Sequence, residues 1–189
     1  MTTAILHPHS HSQRSGIQAF SARLTRASED RLLVEYRIEG DIGRLLIPAG
    51  GAGTRRNGLW QHTCCEIFVQ VNASPAYYEF NFSPAGDWAA YRFDGYRSGM
   101  VDADLAAPPA IVISQSASEL QLEAAITLPD ELSSAGAAPL SLTAVIEDRD
   151  ERITYWAAAH APAKPDFHHD AGFVLRLPTT QRGRTEGVS

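Results

Sequence analysis

Cysteine is almost missing from this chain of 189 residues: there are two, Cys64 and Cys65, and they are adjacent. Two cysteines build no disulfide framework. Neighbours on a strand leave it on opposite faces, so these two do not bridge each other. A reducing, cytoplasmic setting is the expectation. Basic runs are missing as well. Lys and Arg number 16 against 22 Asp and Glu, a formal charge of −6, and the basic pieces stop at Arg55-Arg56 and the Arg182/Arg184 pair. That balance argues against nucleic acid or an anionic membrane as a partner. No apolar run approaches the roughly 18 residues of a membrane span. MTTAILHPHSHSQRSG shows no charged segment leading into an apolar one, so no signal peptide is read. Helical periodicity is also absent: no window keeps i, i+3, i+4 spacing over three turns, and PDELSS (129–134) offers a single turn.

What is present is alternation. LLVEYRI (32–38) sets Leu32, Val34, Tyr36 and Ile38 against Glu35 and Arg37. CEIFVQV (65–71) sets Cys65, Ile67, Val69 and Val71 against Glu66, Phe68 and Gln70, and YYEFNF (77–82) sets Tyr78, Phe80 and Phe82 against Tyr77, Glu79 and Asn81. Runs at 17–24, 110–114, 120–126, 140–147, 153–157 and 172–177 repeat the period of two, which is the strand signal. Turn chemistry separates them, as at Gly40-Asp41, Ser83-Pro84-Ala85-Gly86-Asp87 and Asp94-Gly95. About ten short strands with turns between them predict an all-β fold, an antiparallel β-sandwich or jelly roll. One domain over residues 15–178 is expected, between a flexible N-terminus (1–14) and a flexible tail (179–189).

Strand phase then selects candidate chemistry. If the alternating aromatics pack inward, the opposite faces carry Glu66, Gln70, Glu79, Asn81, Trp88 and Arg92, with Thr154 and Trp156 added by ITYWA. Carboxylates, an amide and a guanidinium beside flat indoles suit a sugar, whose C–H face stacks on the ring while its hydroxyls bond the polar groups. Paired carboxylates also serve glycoside hydrolysis, so a sugar-active enzyme using Glu66 and Glu79 stays open as an alternative. GLWQHTCCEIF (58–68) gathers a thiol, an imidazole, a carboxylate and an indole. Alternation separates them: Cys65 faces the core, and Cys64 lies beside Glu66, whose charge raises a thiol pKa. The loop AHAPAKPDFHHD (159–170) is read as a rim that lays Lys164, His168 and His169 over a ligand; a His-bound metal using His160, His168 and His169 is the alternative. Tyr96 and Arg97 are further rim candidates. PAGGAG (48–53) lacks the Lys-Ser/Thr ending of a phosphate-binding loop.

The blocks LWQHTCCEIFVQV, YYEFNFSPAGDWAAYRFDGYRSGM and YWAAAHAPAKPDFHHDAGFVLRLP resemble the DOMON-like group, which is related to the family 9 carbohydrate-binding modules. The resemblance spans residues 5–178 and is closest to a bacterial branch that is sometimes attached to a cell-wall precursor reductase. It implies a β-sandwich that binds a sugar or a haem on or beside one sheet. Trp60, Glu66, Glu79, Asn81 and Trp88 fall within the matching blocks and are the binding residues it implies. A haem would need axial Met and His ligands, and Met100 is the one internal methionine. The resulting expectation is a non-catalytic module for a carbohydrate or cell-wall sugar derivative, with no cofactor required. Stacking falls to Trp60, Trp88 or Trp156, hydroxyl bonding to Glu66, Glu79, Asn81 and Arg92, and selection to Lys164, His168 and His169.

Overall fold

The structure is a computed structural model that describes residues 1–12, 16–134 and 136–180. In chain order its strands are β1 (Thr2–Ile5), β2 (His7–Pro8), β3 (Ile17–Arg26), β4 (Arg31–Gly40), β5 (Cys64–Gln70), β6 (Tyr77–Phe82) and β7 (Trp88–Phe93). They continue as β8 (Val101–Asp102), β9 (Ala110–Gln115), β10 (Glu119–Thr127), β11 (Pro139–Glu147), β12 (Ile153–Ala157) and β13 (Leu175–Arg176), with one helical turn, α1 (Asp130–Ser133). Two antiparallel sheets result. One runs β1-β3-β4-β10-β9, and the other β2-β12-β11-β5-β6-β7-β8, with β13 paired to β11. The alternating runs therefore form the all-β sandwich that their period predicts.

The inner faces of the two sheets meet in one apolar core. Phe20, Leu24, Tyr36 and Ile38 come from the first sheet, and Ile67, Phe80, Phe82 and Leu142 from the second. Each such side chain, fully buried, contributes roughly 1.5–3 kcal/mol. Tyr36 keeps its hydroxyl in this core because it donates to the Glu66 carbonyl across the sandwich at 2.5 Å. Without that partner a buried hydroxyl is costly. The bond fixes β5 to the opposite sheet directly behind the position that faces outward as the Glu66 side chain.

The N-terminal residues are a correction. Read as a flexible segment over 1–14, they instead supply β1, paired with β3 from Thr2↔Leu24 to Ile5↔Ser21, and β2, paired with β12 through Trp156↔Pro8 and Ala157↔His7. Leu6, between the two, is buried in the core and anchors the crossing from one sheet to the other. The run 172–177 also differs, since only Leu175–Arg176 joins a ladder there. Residues 181–189, which hold Arg182, Arg184 and most of the expected tail, lie outside the described residues.

The outer faces differ. Along β4 buried and exposed residues alternate, whereas β5 and β6 are buried on both faces nearly throughout. A second, smaller apolar cluster explains this: Phe68, Tyr77, Ala89, Tyr91 and Phe93 project outward and are covered by Leu59, Phe167 and Phe173 from connecting segments. The outer side of β5–β7 is thus roofed by loops, and the candidate site lies under that roof.

Candidate functional site

Register builds the floor. Pairing of β11, β5, β6 and β7 aligns Thr143, Glu66, Asn81 and Ala89 in one cross-strand row, and Ser141, Phe68, Glu79 and Tyr91 in the next. All eight share the outer face. Asn81 Nδ2 donates to Glu79 Oε1 at 2.6 Å, and Thr143 Oγ1 donates to Glu66 Oε2 at 3.4 Å. Glu66 and Glu79 are only 2% and 4% exposed. Glu66 Oε1 has no hydrogen-bond partner. Burial first, and then the charge of Glu79, hold the Glu66 carboxyl well above its usual range. Burial pushes Glu79 up to about 7, against the opposing hydrogen bond from Asn81 and the charge of Arg97.

Three connecting segments form the walls. Gly58 takes a left-handed φ of 77°, which favours glycine, and starts the 3-10 turn Leu59–Gln61 that holds Trp60 at the rim, 50% exposed. Tyr91 secures this segment by donating to Asn57 Oδ1 at 3.0 Å. The segment 94–100 folds back on itself, with Asp94 N–H donating to the Ser98 carbonyl at 3.0 Å. Gly99 is required in it, because φ is 65° and a Cβ would meet Asp94 Oδ2 at 2.3 Å. This turn presents Arg97, whose Nη2 donates to Asp166 Oδ1 at 2.8 Å, while the Tyr96 hydroxyl donates to Asp166 Oδ2 at 2.5 Å. Burial raises Asp166, but those two hydrogen bonds, the charge of Arg97 and the His168 N–H together hold the carboxyl below its ordinary range. Asp166 thereby joins the turn to the third wall, the loop around 158–169. Together floor and walls enclose a cleft of about 1020 Å³, at the upper end of small-molecule sites.

A chain of polar contacts runs down one wall. Tyr77 is pushed up to about 12, chiefly by burial, and so keeps its proton. Its hydroxyl lies 2.7 Å from His168 Nδ1 and accepts from the Arg97 N–H at 3.3 Å. The phenol and Nδ1 share one hydrogen bond, and the other ring nitrogen, Nε2, stands 3.8 Å from Glu79 Oε2. Burial, then the charge of Arg97, brings His168 down to about 4. At neutral pH the floor thus faces a neutral imidazole.

No family model matches the sequence, and no curated protein matches it. Solved structures do. A candidate carbohydrate-binding protein from Bacteroides uniformis superposes with a TM-score of 0.61 over 90% of this chain and 84% of that one, at 16% identity. A family 9 carbohydrate-binding module from Caldicellulosiruptor kristjanssonii, solved with cellotriose, gives 0.59 over 100% and 88%, at 12% identity. The fold is shared with these carbohydrate-binding modules. At such identities the likeness extends to the fold alone.

Of the residues singled out by sequence, Trp60, Glu66, Glu79, Lys164 and His168 line the cleft, and Asn81 lies just beneath, holding Glu79. Four others do not. Trp88 and Trp156 point into the core, 6% and 5% exposed, in one inner row with Phe82, Cys65 and Ala144. Arg92 shares that inner side at the sandwich end, where it donates to Glu131 of α1 at 3.0 Å and to Asp94 at 2.7 Å. His169 caps the turn Asp170–Gly172 by accepting from Ala171 N–H. The physical reason for the β7 error is that both of its faces are buried, so hydrophobicity does not mark the phase. Tyr91 and Phe93, not Trp88 and Arg92, face the cleft.

Cys64 and Cys65 are free thiols on opposite faces, both buried and both pushed up by burial first and by Glu66 next. Neither has the character of a nucleophile. Arg55 and Arg56 serve the loop. Arg55 stacks 4.5 Å from the Trp88 ring and donates to two backbone carbonyls, and Arg56 pairs with Asp87. The histidines named for a metal have separate partners: His160 bonds the His7 carbonyl, and His168 and His169 are engaged as above. Among the described residues no group of three or more His, Cys, Asp or Glu is placed to hold a metal ion. Met100 and His168 both line the cleft, but the two His168 nitrogens are turned to Tyr77 and Glu79.

Proposed function

We propose that the protein is a non-catalytic, DOMON-like module that binds a carbohydrate in the cleft over β5–β7. The observation that carries this reading is the mixed floor: Glu79 projects between Phe68 and Tyr91, with Glu66 in the adjacent row, beneath one cavity. Carboxylates accept hydrogen bonds from hydroxyls, and ring faces take the C–H side of a pyranose. Trp60 at the rim offers a further stacking surface, and the fold is one that carbohydrate-binding modules use. The enzyme alternative has less support. Both carboxyls lie in adjacent rows of a single face and are sunk in the floor, whereas hydrolysis sets its acid and base on either side of the scissile bond.

Trp60 makes the test simple, because Trp88 and Trp156 are buried and Trp60 is the exposed indole. Titration with a panel of mono- and oligosaccharides is expected to change the intrinsic fluorescence saturably, and Trp60→Phe to abolish the change. A panel that produces no saturable change and no calorimetric heat at millimolar concentration overturns the reading.

A further inference from the structure

The floor of the cleft asks for more than a neutral sugar supplies. Glu66 lines the cavity with Oε1 buried and unpartnered, and its Oε2 has only Thr143 at 3.4 Å. Glu79 commits Oε1 to Asn81, while its Oε2 stands 3.8 Å from His168 Nε2, beyond hydrogen-bond length. The two residues are diagonal neighbours on β5 and β6, a separation of roughly 7–8 Å. One small group between the carboxyls can serve both.

No positive charge is placed on Glu66 by the titratable groups around it. Cys64 and Tyr91 are raised by burial and stay uncharged at neutral pH, and His168 is neutral. Tyr77 keeps its proton as well. Arg97 acts on Glu79 from a distance, with its guanidinium bonded to Asp166. Lys164 stands exposed at the rim. Two acids, walled by rings and with no Lys or Arg within ion-pair distance among the described residues, form a site suited to a positive donor.

We propose that the ligand is a sugar bearing a free primary amine, a hexosamine, with its ammonium group seated between Glu66 and Glu79; this rests on the carbohydrate-binding reading above. An ammonium brings three N–H donors together with a charge. It donates to Glu66 Oε1 and Glu79 Oε2 at once and replaces the proton that the pair otherwise retains. A hydroxyl or an acetamido N–H brings one donor and no charge. Phe68 and Tyr91, in the same row as Glu79, add ring faces that attract a cation.

Calorimetry at neutral pH with glucosamine, N-acetylglucosamine, glucose and ethanolamine tests the proposal. Glucosamine is expected to bind at least about tenfold more tightly than each of the others. Glu66→Gln and Glu79→Gln are each expected to erase that margin, with circular dichroism checking that the variants fold. Glucose or N-acetylglucosamine matching glucosamine overturns the amine and leaves the carbohydrate reading standing. Ethanolamine matching it overturns the sugar. Binding by none of the sugars overturns the underlying reading. Wild-type protein gives a second measurement if a variant misfolds. At about pH 6 the amine is charged and Glu79 still holds its proton, so glucosamine binding releases protons, seen as heats that vary with buffer ionisation enthalpy. Glucose should release none, and equal release by both sugars overturns the proposal.

Discussion

The outer faces of the two sheets carry similar residue types and treat them in opposite ways. On the five-stranded sheet, charges lie in solvent and find each other: Arg23 with Glu35 at 2.9 Å, Arg37 with Glu119 at 2.6 Å. On the other sheet, loops roof the surface, and Glu66 and Glu79 are buried with one carboxyl oxygen unpartnered. An exposed pair costs little to form and adds little. A buried pair of like charges is expensive, and packing does not require it. The contrast separates charge that keeps a face in water from acid groups that, on the reading proposed above, await a ligand.

The largest effect should come from the side of β7 that sequence phase misassigned. Trp88→Ala empties a core position and is expected to destabilise by about 3–5 kcal/mol in denaturant unfolding. A loss below about 1 kcal/mol would return Trp88 to the surface. Next is the acid pair. Glu79 titrates near 7 in the folded protein, above its ordinary 4.5, so the native state holds the extra proton between those values. Its burial therefore costs nothing below about pH 4.5, costs progressively more as pH rises to 7, and costs its full amount above. Glu79→Gln is expected to raise the melting temperature at pH 8 and leave it unchanged at pH 4. His168 works in the opposite sense, losing stability as pH falls from 6.5 towards 4. Trp60→Ala should weaken ligand binding by about tenfold while altering stability by less than about 0.5 kcal/mol. The smallest effect is on the solvated face: Arg23→Ala is expected to stay within about 0.5 kcal/mol in the same unfolding assay. A larger loss there would erase the distinction between the two faces.

How far the sequence could be read follows the same division. LLVEYRI lies half in water, so its alternation reports the core face directly, and the register agrees. In β5 and β6 polar residues still mark the outer face, so the phases of Glu66, Glu79 and Asn81 came out correctly. In WAAYRF and ITYWA both faces carry aromatic or β-branched residues, and Trp88 and Trp156 took the wrong side. Large indoles read as platforms when they were core. Arg97 was legible only as a loop residue. Its ion pair with Asp166 joins positions 69 residues apart, and no local pattern encodes such a contact. The Tyr77–His168–Glu79 contacts depend on the same loop closure.

The N-terminal crossing has a mechanical consequence. Residues 2–8 hydrogen-bond along β3 in one sheet and β12 in the other, so a single short ribbon clasps both layers at once. Peeling it away would bare two strand margins together, each offering backbone groups to any passing extended chain. The ribbon is a latch, and a fusion or crosslink placed on it would pull on both layers of the sandwich rather than on one.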